Sequence, residues 1–313
     1  MGTIVGWLLA GIVLLLMAGA GFWLWAVRTQ SVATLDRIDA FYTSGKVEQS
    51  VPIAYGGLPN QKVVVARPLG QAAGPRPVVV FVHGGSWAKG DAADYAYVAR
   101  NLAAEGYVAV SAGYRLVPGG EFPAMLQDGA RALRWVAESI ADYGGDPQRI
   151  YLMGHSAGAY NIAMLALDPR WLESEGLPRS LIKGAIGLAG PYDFLPLDSE
   201  STRNAFGGAK DLRETQPVSF AGADAPPMLL ITGDADQTVR PRNSRALADA
   251  LTRAGQPTEP LLVPGMTHGG IVMALSRPFA GDGTVKAAIL EFLAAQEAAA
   301  PATSSAAIQP GGG

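Results

Sequence analysis

The chain has 313 residues, of which 49% are hydrophobic and 16% charged, enough for one large domain with a sizeable apolar core. A formal net charge of −3 offers no basic surface for nucleic acid, which excludes that class of partner. The sequence has no cysteine, which excludes disulfides, zinc–thiolate sites and a cysteine nucleophile, and its three histidines exclude a histidine-rich metal site.

The N-terminus carries an uncharged, largely apolar run over residues 4–27. At about 1.5 Å of rise per residue, a helix of this length can span the roughly 30 Å hydrocarbon core of a bilayer. Tryptophans lie near both ends of the run, as interfacial aromatic residues do. The sequence therefore predicts a single-pass transmembrane anchor over residues 1–28, with residues 4–27 in contact with the lipid bilayer.

Other interpretations of this N-terminal run stay open. Ala18-Gly19-Ala20 resembles the small-residue site of a signal peptide, whose cleavage would release a secreted protein, and a buried helix is a third interpretation. The side of the membrane is open as well. The arginines after the run favour a cytoplasmic domain, whereas a signal anchor favours an extracytoplasmic or periplasmic one, which we prefer.

Residues 29–47 resemble a connector, residues 48–298 the globular domain, and residues 299–313, rich in Ala, Ser, Pro and Gly, a disordered tail. Eight runs predict strands, at Ser50–Tyr55, Lys62–Ala66, Val78–Val82, Val108–Ser111, Ile150–Met153, Gly184–Leu188, Met228–Thr232 and Pro260–Val263. Five predict helices, at Asp94–Ala104, Pro123–Tyr143, Ala157–Leu167, Arg242–Ala254 and Thr284–Ala298. After an antiparallel start, this alternation is typical of an α/β fold with a mostly parallel eight-stranded sheet and helices on both faces.

The pentapeptide Gly154-His155-Ser156-Ala157-Gly158 lies between a predicted strand and a predicted helix. In that context Gly-x-Ser-x-Gly indicates a nucleophile elbow, a sharp turn that strains the serine backbone and exposes its hydroxyl. Small residues on both sides let the chain make this turn. Ser156 is therefore the candidate nucleophile.

A nucleophilic serine needs a base that accepts its proton, and only three histidines are available. His155 adjoins the serine on a tight turn, where successive side chains diverge. His83 begins a Gly-Gly turn after a different strand. His268 lies in the loop after the last predicted strand, next to two glycines, and is the predicted base.

The base needs an acid that orients it, and the loop after the preceding strand offers two carboxylates. We predict Asp236 as this acid and keep Asp234 as the alternative, because Gly-Asp-x-Asp is also ordinary turn chemistry.

The reaction further needs N–H donors for the developing oxyanion. Ala157 offers one at a helix N-terminus, and the loop His83-Gly84-Gly85-Ser86-Trp87, which follows a strand, is the predicted source of the others.

Together these residues resemble the α/β-hydrolase superfamily, especially esterases of the carboxylesterase and hormone-sensitive-lipase-like group, including the branch similar to kynurenine formamidases. The resemblance covers about residues 48–298. It rests on His83-Gly84-Gly85-Ser86-Trp87, Tyr114-Arg115-Leu116 with Pro118, Phe122-Pro123-Ala124 with Asp128, Gly144-Gly145-Asp146-Pro147, Gly154-His155-Ser156-Ala157-Gly158, Asp236 and His268. The order Ser156, Asp236, His268 is the one expected of an α/β-hydrolase triad.

By this resemblance, the oxyanion donors are the N–H groups of Gly85, Ser86 and Ala157, with Gly84 as a further candidate. Ser86 stands where the lipase-like branch has a third glycine, and the following Trp87 is more similar to the formamidase-like branch. Trp87 either lines the substrate pocket or packs in the core.

The resemblance implies a serine hydrolase that cleaves small-molecule carboxylic esters of small to medium acyl chains through an acyl-enzyme, without a metal or an organic cofactor. An arylformamidase that hydrolyses an N-formyl amide with the same residues is the alternative. A catalytically inactive, membrane-tethered binding module is a third hypothesis. The sequence does not indicate an oligomeric state.

Overall fold

The computed structural model describes residues 32–43, 45–70 and 72–299, together with residues 7, 11–14, 17, 19 and 21. Within these residues, one sheet runs through the domain and helices cover both of its faces. This is the α/β architecture that the alternation of predicted strands and helices indicates.

The sheet has nine strands in the described part of the chain. They are β1 Val47–Gln49, β2 Ile53–Ala54, β3 Lys62–Pro68, β4 Arg76–Val82, β5 Val108–Ala112, β6 Gly145–His155, β7 Ile182–Leu188, β8 Met228–Gly233 and β9 Leu261–Val263. Their order is β1-β3-β5-β4-β6-β7-β8-β9, with β2 paired to β3. Because β6 lies between β4 and β7, a residue at its carboxyl end faces the crevice where α/β sheets bind ligands.

The sheet is mixed, which corrects the predicted eight-stranded and mostly parallel sheet. β3 runs antiparallel to β1, β2 and β5, whereas the pairs from β5 through β9 are parallel. The strand missing from the prediction is β1, which pairs Val47 with Pro68 at one edge of the sheet. Its sequence is Val-Glu-Gln, without an apolar run, because an edge strand that faces solvent does not need buried side chains. A prediction from hydrophobic runs therefore misses this strand.

The helices are α1 Val32–Thr43, α2 Ala96–Ala104, α3 Ala124–Ser139, α4 Ala157–Leu167, α5 Pro169–Glu173, α6 Glu200–Phe206, α7 Arg242–Arg253, α8 His268–Met273 and α9 Thr284–Ala299. Alternate residues of β4 enter two separate cores. Val78 and Val80 pack with residues of α3 and α4, whereas Val79 and Phe81 pack with residues of α2 and α9. Both faces of the strand are buried, which explains its continuous apolar sequence.

The predicted transmembrane anchor needs correction. Among the described residues, no helix combines the length and the apolar character needed to cross a bilayer. The longest, α3 and α9, have 16 residues each, about 24 Å against the roughly 30 Å hydrocarbon core. This finding overturns the single-pass anchor, the bilayer contact and the membrane localisation derived from it. Most of residues 4–27 lie outside the described residues, as do residues 300–313 of the predicted tail.

Residues 32–43 of the predicted connector form α1, which is fastened to the domain by polar contacts. Asp39 is completely buried and accepts hydrogen bonds from Asn101 Nδ2 at 2.9 and 3.0 Å and from the Arg277 N–H at 2.9 Å. Arg100 donates to Asp36 Oδ1 at 2.8 Å. These contacts join α1 to α2 and to the turn that follows α8.

Candidate active site

The carboxyl end of β6 turns directly into α4, and Ser156 is the single residue between them. Its backbone has φ 54° and ψ −121°, outside the regions that residues with a Cβ favour. The Ser156 N–H donates to the Leu188 carbonyl at 2.8 Å and so ties the turn to β7. A Cβ at Gly158 would overlap the carbonyl oxygen of Val82, so glycine allows α4 to pack closely against the end of β4.

The segments after β8 and β9 bring a carboxylate and an imidazole to Ser156. His268 Nε2 lies 2.9 Å from Ser156 Oγ, and His268 Nδ1 lies 2.7 Å from Asp236 Oδ2. Both ring nitrogens are therefore hydrogen-bonded, one to the hydroxyl and one to the carboxylate. Asp236 is 3% exposed and Ser156 9%, so these interactions are largely shielded from solvent.

The two aspartates of the loop after β8 have different partners. Asp236 Oδ1 accepts the N–H groups of Thr238 and Val239, both at 2.9 Å. These bonds fix the plane of the carboxylate and leave Oδ2 for the imidazole. Asp234, the alternative acid, accepts the N–H of Gly265 at 2.7 Å and orders the segment that leads to the imidazole.

His83 is fully buried and forms no described hydrogen bond to Ser156. Its ring stacks between those of Tyr95 and Tyr114, at centroid distances of 5.5 and 4.7 Å, and its Nδ1 donates to the Gly84 carbonyl at 2.8 Å. Burial lowers the pKa of His83, which keeps the ring neutral. The histidine thus stabilises the start of the loop after β4 by packing and by a hydrogen bond.

His155 contacts the predicted base in a way that the sequence analysis missed. Its Nε2 lies 3.0 Å from the backbone carbonyl oxygen of His268, an acceptor only, so Nε2 carries the proton and donates. Burial, together with the neighbouring His268, lowers the pKa of His155 to about 3 and keeps its ring neutral. The signal in the sequence is a titratable residue at the end of a buried strand, next to the elbow serine.

The loop after β4 brings backbone N–H groups close to Ser156. In the described part of the chain, the N–H groups of Gly84, Gly85, Ser86 and Ala157 have no acceptor. Gly85 and Ser86 have positive φ angles of 123° and 55°, and both line the cavity above Ser156. A Cβ on Gly84 would lie 3.0 Å from the Ser156 Cβ, which shows how close the loop comes. Ala157 begins α4, where the helix dipole favours an anion.

A cavity of about 670 Å³ opens over Ser156 and His268. This volume is within the roughly 300–1,000 Å³ typical of small-molecule sites. Trp87 is not among the described residues that line it. Its buried indole packs edge-on against Phe206 and Tyr160, at ring-centroid distances of 4.8 and 5.5 Å.

A protein-family model with the description BD-FAE matches residues 68–251, which are more than half of the chain. The chain belongs to the BD-FAE family. The part matched as BD-FAE contains the elbow and Asp236 and ends before His268, so the predicted base comes from a segment beyond the matched region.

Named relatives of this BD-FAE protein are esterases. A probable isoprenylcysteine alpha-carbonyl methylesterase of Arabidopsis thaliana is 32% identical over 238 residues, covering 69% of this chain and 50% of the relative. Esterase LipQ of Mycobacterium tuberculosis is 33% identical over 225 residues, covering 66% and 53%. The chain thus spans about half the length of these curated relatives.

A solved esterase structure is similar to this chain in fold. The propionate-bound thermophilic esterase Est2 of Thermogutta terrifontis superposes with a TM-score of 0.66 and 25% identity, covering 81% of this chain and 95% of that one. Together with the family match, these similarities confirm the resemblance to α/β-hydrolase esterases that the sequence motifs indicate.

The described site offers proton transfer and anion binding rather than metal coordination by clustered ligands. The described residues contain no group of three or more His, Asp or Glu side chains placed to hold a metal ion. An imidazole at 2.9 Å from a strained, nearly buried hydroxyl can accept its proton, and the buried carboxylate can stabilise the resulting imidazolium. The neighbouring N–H groups can bind negative charge on a substrate oxygen.

Proposed function

We propose that this BD-FAE protein is a serine-type carboxylic ester hydrolase, with Ser156 as nucleophile, His268 as general base and Asp236 as the residue that orients the base. The observation that carries the proposal is the unbroken hydrogen-bond series from Ser156 Oγ through His268 to Asp236, at 2.9 and 2.7 Å. The esterase names of relatives with about one-third identity support the same reaction class.

In the first half of the reaction, Ser156 Oγ attacks the ester carbonyl carbon while His268 Nε2 takes the hydroxyl proton. The carbonyl electron pair moves to oxygen, and the oxyanion accepts hydrogen bonds from the N–H groups of Gly85, Ser86 and Ala157. The tetrahedral intermediate then collapses, and the alcohol leaves with the proton from Nε2. The acyl group remains on Ser156 Oγ.

In the second half, His268 Nε2 removes a proton from water, and the hydroxide adds to the acyl carbon. A second tetrahedral oxyanion forms on the same N–H groups. Its collapse breaks the bond to Ser156 Oγ, which regains the proton, and releases the carboxylic acid. Throughout, Asp236 keeps the other imidazole proton on Nδ1 and stabilises the positive charge without accepting that proton itself.

The test uses short p-nitrophenyl esters and the variants Ser156→Ala and Asp236→Asn. We expect kcat to fall by at least about 10⁴-fold in each, because loss of the nucleophile or of the correct imidazole tautomer costs this much in serine hydrolases. Asp234→Asn is the matched control: the same change two residues away should alter kcat by only about twofold.

Retention of wild-type hydrolysis by Ser156→Ala would overturn the proposal. A fluorophosphonate probe should label the wild-type serine and leave Ser156→Ala unlabelled, which also excludes an inactive binding module. Comparison of short esters with N-formylkynurenine decides whether an ester or a formamide is the better substrate for the same residues.

A further inference from the structure

One wall of the cavity above Ser156 comes from α1, the helix within the predicted connector. Val32, Leu35, Ile38 and Tyr42 line this cavity. Their spacing of three or four residues places them on one face of the helix. These four residues extend over eleven positions of the helix, a rise of about 15 Å, and their side chains are apolar apart from the hydroxyl of Tyr42.

The cavity is also lined by apolar side chains from outside α1. Val272 and Met273 of α8 and Phe279 in the following turn line it. Lys89 is the only lysine, arginine, aspartate or glutamate among the described residues of the lining. The cavity therefore combines the polar groups of Ser156 and His268 with apolar side chains from α1, α8 and the following turn.

Polar contacts of Asp39, which follows Leu35 by four residues and precedes Tyr42 by three, hold the helix in place. The buried carboxylate of Asp39 accepts hydrogen bonds from Asn101 and from the N–H of Arg277. Because these bonds position the helix, the partly exposed side chain of Ile38 is left on the face toward the cavity. The position of the wall is thus set independently of any bound ligand.

We propose that this cavity binds the apolar chain of a medium-length ester along α1, and that Ile38 limits the length of that chain. The proposal rests on the proposed hydrolysis at Ser156 and adds the substrate class. The chain can belong to the acyl or to the alcohol part of the ester, since both meet at the reacting carbonyl. Each methylene that the cavity buries should raise kcat/KM by about fourfold.

The experiment measures kcat/KM for two series of substrates, p-nitrophenyl esters from acetate to dodecanoate and alkyl acetates from methyl to octyl. We expect the wild type to improve by about tenfold or more along at least one series before reaching a maximum. Ile38→Trp should remove this rise, so that kcat/KM for the longer esters falls more than kcat/KM for acetate. Ile38→Ala should move the maximum to longer chains.

Phe41→Trp is the matched control, because Phe41 lies on the same helix but is 81% exposed and does not line the cavity. It should keep the wild-type chain-length profile. Thermal unfolding of each variant shows whether α1 and the domain remain folded.

The proposal is overturned if neither series shows a rise in the wild type, or if Ile38→Trp keeps the wild-type rise. It is also overturned if Ile38→Trp lowers acetate and octanoate hydrolysis equally at an unchanged Tm. Failure of the proposed function gives a different result: Ser156→Ala would still hydrolyse p-nitrophenyl acetate.

Discussion

His155 joins the strand that carries Ser156 to the helix that begins at His268. Its Nε2–H bonds the His268 backbone carbonyl at 3.0 Å, and the two rings lie 4.9 Å apart. Because this bond is made to the backbone, it ties the first residue of α8 to the end of β6, next to the serine. A displacement of about 1 Å in such a group can cost about 10²-fold in rate.

Two amide substitutions at His155 test which ring nitrogen must donate the hydrogen bond. In His155→Gln the amide nitrogen can take the place of Nε2, whereas in His155→Asn it takes the place of Nδ1, which has no described partner. We expect His155→Asn to lower kcat by about 10- to 100-fold with KM changed little, and His155→Gln to recover most of the loss. Steady-state kinetics on a short ester measures both parameters.

His155→Leu is the control for volume, since it fills space and has no donor. If the side chain acts only by packing, Leu should perform as well as Gln, and that result would rule out positioning by hydrogen bonding. Equal kcat values for the Gln and Asn variants would have the same meaning.

Among the elements, α1 is held over the cavity in part by the buried carboxylate of Asp39. In Asp39→Ala, the Arg277 N–H loses its acceptor and Asn101 Nδ2 keeps only the Tyr97 carbonyl, and a buried donor left unpaired costs about 1–3 kcal/mol. We expect α1 to detach locally while the sheet stays folded. Hydrogen exchange should then accelerate in residues 32–43, and activity on octanoate should fall more than activity on acetate.

Glu48→Ala serves as the comparison for Asp39→Ala. Glu48 pairs with Arg67 at 2.8 Å, but its side chain is 55% exposed, and exposed pairs stabilise proteins by only about 0–1 kcal/mol. Exchange in residues 32–43 should stay at the wild-type rate in this variant. Unchanged exchange in Asp39→Ala as well would show that apolar packing alone holds α1.

For the molecule as a whole, the sequence predicts well the buried parallel strands and the proximity of the three candidate site residues. The strand predicted at Val78–Val82 forms within β4, because residues buried on both faces give a continuous apolar run. The proximity of Ser156, Asp236 and His268 is predictable for two reasons. The sequence has only three histidines, and the loops that follow parallel strands lie at one edge of the sheet.

The contacts that the sequence does not predict depend on residues far apart in the chain. α1 is held by pairs such as Asp39 with Asn101, 62 residues away, and no local pattern reveals such a pair. The bond from His155 to the His268 carbonyl spans 113 residues and uses a backbone acceptor, which any residue would supply. Edge strand β1 is predicted poorly because it lies outside the apolar core.

Two neutral histidines buried in the interior should make the whole fold sensitive to acid. His83 and His155 are 0% and 5% exposed, and burial lowers the pKa of both, that of His155 to about 3. In the unfolded chain a histidine has a pKa of about 6.5. Below that pH the histidines bind protons in the unfolded state but not in the folded state. The free energy of unfolding therefore decreases as the pH falls from about 6.5 toward 3.

Urea unfolding of the wild type and His155→Gln at pH 7 and pH 5 measures this dependence. The limiting slope is about 1.4 kcal/mol per pH unit for each such histidine. The wild type should therefore lose on the order of 2 kcal/mol more than His155→Gln between these two pH values. Equal losses would show that the folded protein accommodates a charged His155.

The close approach of Gly158 to the Val82 carbonyl has a consequence for anion recognition. Ala157 belongs to α4, whereas Gly85 and Ser86 follow β4, so the separation between these two groups of proposed donors depends on how closely the helix meets the strand. Donors must lie about 2.7–3.1 Å from an oxyanion, a tolerance of about 0.4 Å. A methyl group at position 158 would push the helix away by more than that, so the lack of a side chain at Gly158 keeps the proposed donors of α4 close to those of the loop after β4.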